Sequence, residues 1–178
     1  ELNQKSSRIL DAAEGLFLAN GIRATTMEAI AREAGVSKPT LYGRFPDKEA
    51  VFRDVSRRVH MRLREEFAAN LESEGSVEDK IGNALAATYR AIYMVLRQSA
   101  HASELIEANQ ALAKAEKAEL FDWMRDEIAR ILEDGGYKDA RHRADILLAA
   151  TDGLKMHAVE GEALSSDIRL LANRLLAR

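Results

Sequence analysis

The chain has 178 residues, 47% of them hydrophobic and 31% charged, enough to bury a core while staying in water, and this composition excludes an intrinsically disordered chain. With no cysteine, disulfides, thiolate metal centres and cysteine nucleophiles are excluded and a reducing, cytoplasmic setting is expected; no apolar run nears the ~18 residues of a bilayer span, and Glu1 to Ser7 is too polar for a secretory leader. Net charge is -3, but residues 1 to 63 carry 11 Lys and Arg against 8 Asp and Glu, while residues 64 to 178 carry 15 against 21, so a mildly basic first third precedes an acidic remainder.

Pro39 and Pro46 are the only prolines, and the 132 residues after Pro46 hold no strong helix breaker. With Ala, Leu, Glu, Arg and Lys dominant and β-branched residues sparse, the chain reads as all-α. Ile9, Leu10, Ala13, Leu16 and Phe17 fall at helical spacing and define a first helix, with Gly21 as its stop. Thr25-Thr26-Met27-Glu28 reads as a capping box, the Thr25 hydroxyl on the Glu28 N–H, and opens a second helix with Met27, Ile30, Ala31 and Ala34 on its inner face. Gly35 supplies the left-handed exit. Ser37 caps a third helix, Lys38 to Arg44, which tolerates Pro39 in its first turn and points Leu41 and Phe45 inward. Pro46 ends it, and Asp47 caps a fourth helix running from Lys48 to Leu71. Val51, Phe52, Val55, Val59, Leu63 and Phe67 form a stripe long enough to touch both expected domains, a three-helix head at residues 1–48 and a regulatory domain at 49–178. A turn around Gly75 leads to helices at Val77 to Arg97, Ser103 to Leu112, Lys114 to Asp134 and Asp139 to Val159. A ninth, capped by Ser165 or Ser166, carries Ile168, Leu171, Leu175 and Leu176 on one face.

Ile30, Ala31, Ala34, Gly35, Val36 and Leu41 meet the packing needs of a helix-turn-helix: a small Ala where two short helices cross, a Gly for the turn, and apolar residues closing the wedge. An ordinary αα-hairpin satisfies the same positions. The outward set Lys38, Thr40, Tyr42, Gly43, Arg44 and Lys48 favours the first reading, since cations, hydroxyls and a Gly admitting close backbone approach suit a duplex groove. A merely solvated face is the alternative.

Thr25-Thr26-Met27 through Ala31, Ala34-Gly35-Val36-Ser37, Leu41-Tyr42-Gly43-Arg44-Phe45 and Asp47-Lys48-Glu49 closely resemble the TetR family of transcriptional regulators over about the first 55 residues. Beyond them the resemblance is architectural only, a variable all-helical regulatory domain. It implies DNA backbone contacts from Thr26, Tyr42 and Lys48, with base or phosphate contacts from Ser37, Lys38, Pro39, Thr40 and Gly43. Arg44 departs from the aromatic or His commoner in the family, leaving its role open between phosphate binding and reading guanine. On this reading Lys48→Ala weakens binding to every sequence and flattens the salt dependence by about one unit.

Ile146, Leu147, Ala150, Gly153, Leu154 and His157 cover more than one side of the eighth helix, and Leu171, Leu175 and Leu176 add a face on the ninth. Small residues admit a second helix closely, so a two-fold four-helix contact between two chains is expected, as the resemblance also implies. Such a homodimer sets two recognition helices on an inverted-repeat operator. The alternative is that these faces only cover the fifth to seventh helices. Tyr89, Tyr93 and Arg97 at i, i+4 and i+8, with Asn109, Trp123 and Met124, offer the aromatic walls and few polar groups that suit a small organic effector, though plain core has the same pattern. The resemblance implies that a ligand here moves the fourth helix and favours one DNA-binding state. His101-x-x-Glu104 and His157-x-x-Glu160 have a spacing that can ligate a divalent ion, one that Glu-rich helices also produce by chance. No phosphate loop or nucleophile motif is present, so neither enzyme activity nor a cofactor or bound metal is expected. The competing reading keeps the same head under control of a protein partner, or without an effector.

Overall fold

The computed structural model describes residues 2–97, 99–157 and 161–177. Among the described residues the chain folds into nine helices and no strand: α1 (Leu2–Ala24), α2 (Met27–Glu33), α3 (Lys38–Tyr42), α4 (Lys48–Leu71), α5 (Val77–Arg97), α6 (Ala102–Leu112), α7 (Lys114–Asp134), α8 (Ala140–His157) and α9 (Gly161–Leu176). The bounds of α4, α5 and α7 are those read from the apolar spacing, because long periodic stripes without Pro specify a helix locally. None of these helices is long and apolar enough to cross a membrane.

Helix ends differ from expectation in several places: α1 continues past a kink at Gly21 to Ala24, α6 opens at Ala102 rather than Ser103, and the others have local reasons. Thr25 does not cap α2: it is buried, and its hydroxyl donates to the carbonyls of Gly21 at 2.7 Å and Leu16 at 3.2 Å, acceptors left over at the end of α1. Thr26 takes the cap, its Oγ1 accepting the Ala29 N–H at 3.1 Å. α3 closes at Tyr42 rather than Arg44, with Gly43 as its C-cap, in keeping with the bias against helical backbone at the residue before Pro46. Asp139 has φ 55° and stands outside α8, and Val159 lies outside the described residues. α9 begins at Gly161, so Ser165 is no cap but a buried residue whose hydroxyl returns to the Gly161 carbonyl at 3.0 Å.

Two compact units result, residues 1–60 with 96–117 and residues 61–95 with 118–178, and α4 runs through both without interruption. Residues 96–117 thus pack with the head, although the expected division at residue 48 assigns them to the regulatory domain. In the first unit Ile9, Ala13, Phe17, Ile30, Leu41, Val51 and Phe52 share one core with Leu105 and Ala113. Phe17 and Phe52 meet edge to face at 5.7 Å. Arg58 of α4 reaches back to Asp11 at 2.7 Å and Glu14 at 2.9 Å on α1.

The second unit buries Phe67, Ile81, Leu85, Tyr89, Met124, Ile128, Leu132, Leu147, Ile168 and Leu176. α8 and α9 run antiparallel side by side, Arg143 near the start of one donating to the Leu175 carbonyl near the end of the other at 2.7 Å. Gly82 lets α5 and α9 approach, since a Cβ there would stand 3.3 Å from that of Ala172. The buried hydroxyls of Thr88 and Thr151 are satisfied by carbonyls one turn back, Ala84 at 2.9 Å and Leu147 at 2.7 Å, so neither leaves an uncompensated polar group.

Candidate nucleic-acid interface

α3 is too short to be stable alone, and its position comes from its neighbours. Leu41 is fully buried and anchors it in the head, at about 1.5–3 kcal/mol for such a side chain. Ser37 caps it, the hydroxyl accepting the Thr40 N–H at 3.3 Å and exchanging a hydrogen bond with the Thr40 hydroxyl at 2.8 Å. The turn leading in passes through Gly35 at φ +62°, a left-handed conformation that a side chain would strain. Arg8 of α1 holds that turn from behind, Nε donating to the Ala34 carbonyl at 3.1 Å and Nη2 to the Gly35 carbonyl at 3.0 Å.

Fixed in this way, α3 turns a polar face outward. Ser37, Lys38, Pro39 and Gly43 are exposed, Tyr42 keeps 46% of its surface, Thr40 is half-buried, and Thr26 is exposed at the start of α2. These seven of the nine expected DNA contacts are exposed or half-buried on the head. The other two are bonded within it. Arg44 is half-buried with Nη1 donating to the Ser6 hydroxyl of α1, and Lys48 donates to the carbonyls of Ile22, Arg23 and Thr25. Lys38 itself pairs with Glu28 across the two short helices at 3.0 Å. The bond from Lys38, then the Glu28 backbone N–H and the nearby positive charge, hold the Glu28 carboxyl below the usual carboxylate range. Glu28 therefore serves Lys38 and not the capping box read from the sequence. Sequence reasoning missed Arg8 and Glu104, which grips the loop before α2 by accepting the Arg23 N–H at 2.6 Å. No local signal points to them, since their partners lie 26 and 81 positions away.

The expected effector residues are divided between the units: Arg97 and Asn109 belong to the first, Tyr89, Tyr93, Trp123 and Met124 to the second. Tyr89 and Met124 are core side chains, and desolvation by burial, helped by the Asp152 charge, pushes the Tyr89 phenol well above its ordinary pKa. Tyr93 lays its ring on the backbone of Gly161, where a Cβ would meet Cδ1 at 2.9 Å. Trp123 stands edge-on to Phe67 at 5.7 Å with the Arg64 guanidinium 5.3 Å from its ring centre. Two open clefts of the second unit are lined by other residues, one by Glu133, Tyr137 and Arg141 among others, one by Ala68, Leu71, Val77 and Ile131 beneath a charged rim.

Of the expected pairing residues, Ile146 and Gly153 are exposed, Ala150, Leu154, Leu171 and Leu175 are half-buried, and the side chain of His157 lies outside the described residues. Leu170, outside the expected set, is at 56% the most exposed large apolar side chain of α9. Of the two His-Glu spacings, His101 Nδ1 lies 3.9 Å from Glu104 Oε2, while Glu160 lies outside the described residues.

A capped helix seated on a buried Leu, entered through a left-handed Gly and offering hydroxyls and a lysine to solvent, defines a helix-turn-helix DNA-binding protein. The pattern of the bacterial regulatory proteins of the tetR family matches residues 9–55. The HTH-type transcriptional repressor KstR2 of Rhodococcus jostii is 29% identical over 149 residues, covering 80% of this chain and 70% of that protein. Other relatives match over 17% to 58% of their own lengths. A TetR-family transcriptional regulator of Mesorhizobium loti shares the fold at TM-score 0.73 and 23% identity, over 99% of this chain and 97% of that one. SmeT of Stenotrophomonas maltophilia, in its triclosan complex, shares it at TM-score 0.70 and 24% identity, over 97% and 90%. Residues 9–55 thus carry the pattern of the tetR family, and the proteins that the chain is similar to are transcriptional regulators.

Proposed function

We propose that this chain is a cytoplasmic homodimeric repressor that binds an inverted-repeat operator and is released by a small organic ligand. The observation that carries the DNA contact is α3 itself: Leu41 is buried while Ser37, Lys38, Pro39, Tyr42 and Gly43 on the same short helix and its caps face solvent. Thr26 and Tyr42 are assigned to the sugar-phosphate backbone, and Ser37, Lys38, Pro39, Thr40 and Gly43 to the groove. Functionally the head is residues 1–48, and the remainder regulates it.

Pairing is assigned to α8 and α9. Ile146, Gly153 and Leu170 leave an apolar, sterically open strip along the two antiparallel helices, and a Cβ at Gly153 would meet nothing within 4 Å. Ala150, Leu154, Leu171 and Leu175 extend it, and one copy packing on another about a two-fold axis would cover both strips at once. For the effector, the resemblance to SmeT, which binds triclosan, and the aromatic residues Tyr93 and Trp123 of the second unit favour an apolar molecule with few polar groups.

Selection of bound duplexes from a random pool, with and without candidate apolar ligands, tests the whole reading. An inverted repeat recovered without ligand and lost with it is expected. Recovery of no preferred duplex overturns the DNA-binding assignment, and an operator insensitive to every ligand but released by a captured protein transfers control to a protein partner.

A further inference from the structure

Thr26 caps α2, which leaves the Glu28 carboxylate in the first turn without a capping role. It turns instead to α3, where Oε1 stands 3.0 Å from Lys38 Nζ, and both side chains remain exposed. The crossing that sets them side by side is fixed from below: Ile30 and Leu41 are fully buried, and the Val36 N–H donates to the Ala31 carbonyl at 2.9 Å. An exposed ion pair of this kind adds little to stability. It does place an acceptor on the surface from which Lys38 is proposed to enter the groove. The bond from Lys38 holds that carboxyl below its ordinary range, so it is charged at neutral pH.

A carboxylate offers acceptors only, and an ammonium donors only. In the major groove guanine presents two acceptors, N7 and O6, while cytosine presents a donor alone, its N4 amino group. O6 and N4 of one G·C pair are joined by their own N–H···O bond and so lie about 2.9–3.0 Å apart. Lys38 Nζ and Glu28 Oε1 have the same spacing. The ion pair therefore meets that edge atom for atom without opening, the ammonium on O6 and the carboxylate on the second N4–H. A T·A pair repeats the motif with O4 and N6, but it gives the ammonium one acceptor in place of two and sets the adenine N7 acceptor beside the carboxylate. C·G and A·T pairs reverse the order and bring the carboxylate against an acceptor.

Resting on the DNA-binding reading above, we infer that Glu28 is a specificity-determining residue which, joined to Lys38, reads one G·C pair of the half-site and fixes its orientation. The carboxylate repels phosphate and so weakens binding to every duplex, but it weakens binding least where cytosine stands opposite it. Discrimination rises while overall affinity falls.

Single base-pair substitutions through the selected operator, titrated with the full chain and its variants, test this. For the wild type one G·C pair is expected whose reversal to C·G costs about tenfold in affinity, within the range of a directed base contact. In Glu28→Ala that cost is expected to fall below about threefold, while the costs at the other pairs stay as in wild type and show that the head is still folded. Glu28→Gln, whose amide both donates and accepts, is expected to take T·A at that step at least as well as G·C, because glutamine bonds adenine N6 and N7 together. An ion pair with a structural role alone would shift no base preference selectively. Identical profiles for wild type and Glu28→Ala, a uniform loss across all pairs, or a Glu28→Gln variant that keeps the wild-type preference overturns the inference while leaving DNA binding intact. If the wild type prefers no duplex, the DNA-binding reading fails and this inference with it.

Discussion

Lys38 Nζ stands 3.0 Å from Glu28 Oε1, tying the first turn of α3 to the first turn of α2. The lysine proposed for the groove is thus paired with a carboxylate in the free chain. Glu28→Gln removes both the competing partner and a charge that repels phosphate, and affinity for any duplex is expected to rise roughly two- to fivefold at low salt, within the range of an exposed ion pair. Because the Glu28 carboxyl is held below its ordinary 4.5, it stays charged as pH falls from neutral, and the pair is lost only as pH drops through that lowered value. The gain from Glu28→Gln should therefore be equal at neutral and mildly acidic pH. An affinity that falls, or a gain that vanishes on mild acidification, contradicts this role.

The turn of the helix-turn-helix rests on Arg8 and Gly35. Arg8→Met leaves the Ala34 and Gly35 carbonyls without their charged donor, at a cost of about 1–3 kcal/mol read as a lower urea midpoint. Gly35→Ala forces a side chain into φ +62° and against Arg8 Nη2 at 2.8 Å, and is expected to cost about 1–2 kcal/mol from the backbone alone. Denaturation midpoints unchanged by either substitution would remove the turn from the elements that stabilise the head.

Tyr89 supplies an alkaline signature. Burial keeps its phenol neutral above its ordinary value of 10.0, so the folded state binds a proton that the unfolded state releases. Stability from this group is complete below that value and declines as pH rises above it. Of the four tyrosines, Tyr89 is expected to ionise only as the second unit unfolds, giving a late step in the tyrosinate absorbance that Tyr89→Phe abolishes. A titration with the same late step in Tyr89→Phe assigns it elsewhere.

Ile146 and Leu170, 39% and 56% exposed, are apolar groups that a monomer leaves in water. On the proposed pairing, Ile146→Arg with Leu170→Arg is expected to give a folded monomer in light scattering where the wild type is a dimer, and to weaken operator binding at least tenfold, because two half-sites would then be bound independently. A mass unchanged by the double substitution moves the interface off α8 and α9.

The helices were legible because their signals are local. Apolar stripes on α4, α5 and α7, the caps Ser37 and Asp47, and the left-handed Gly35 are read within a few residues of where they act. Thr25 was misread as the cap since two adjacent threonines offer the same hydroxyl, and only the fold of α1 over it decides that Thr25 turns inward and Thr26 outward.

Taken alone, the order of residues determined an all-helical chain with a helix-turn-helix between Thr25 and Arg44 and a polar outer face on α3, because periodicity and turn chemistry act over one or two turns. Tertiary structure decided which charges are spent inside the protein. Arg8, Arg44, Lys48 and Glu104 all look like free surface groups in the sequence, yet each is committed to a backbone or side-chain partner 23 to 81 positions away. Where a long charged side chain ends is set by how helices cross, and that depends on the packing of Phe17, Leu41 and Phe52 beneath them rather than on any neighbour along the chain.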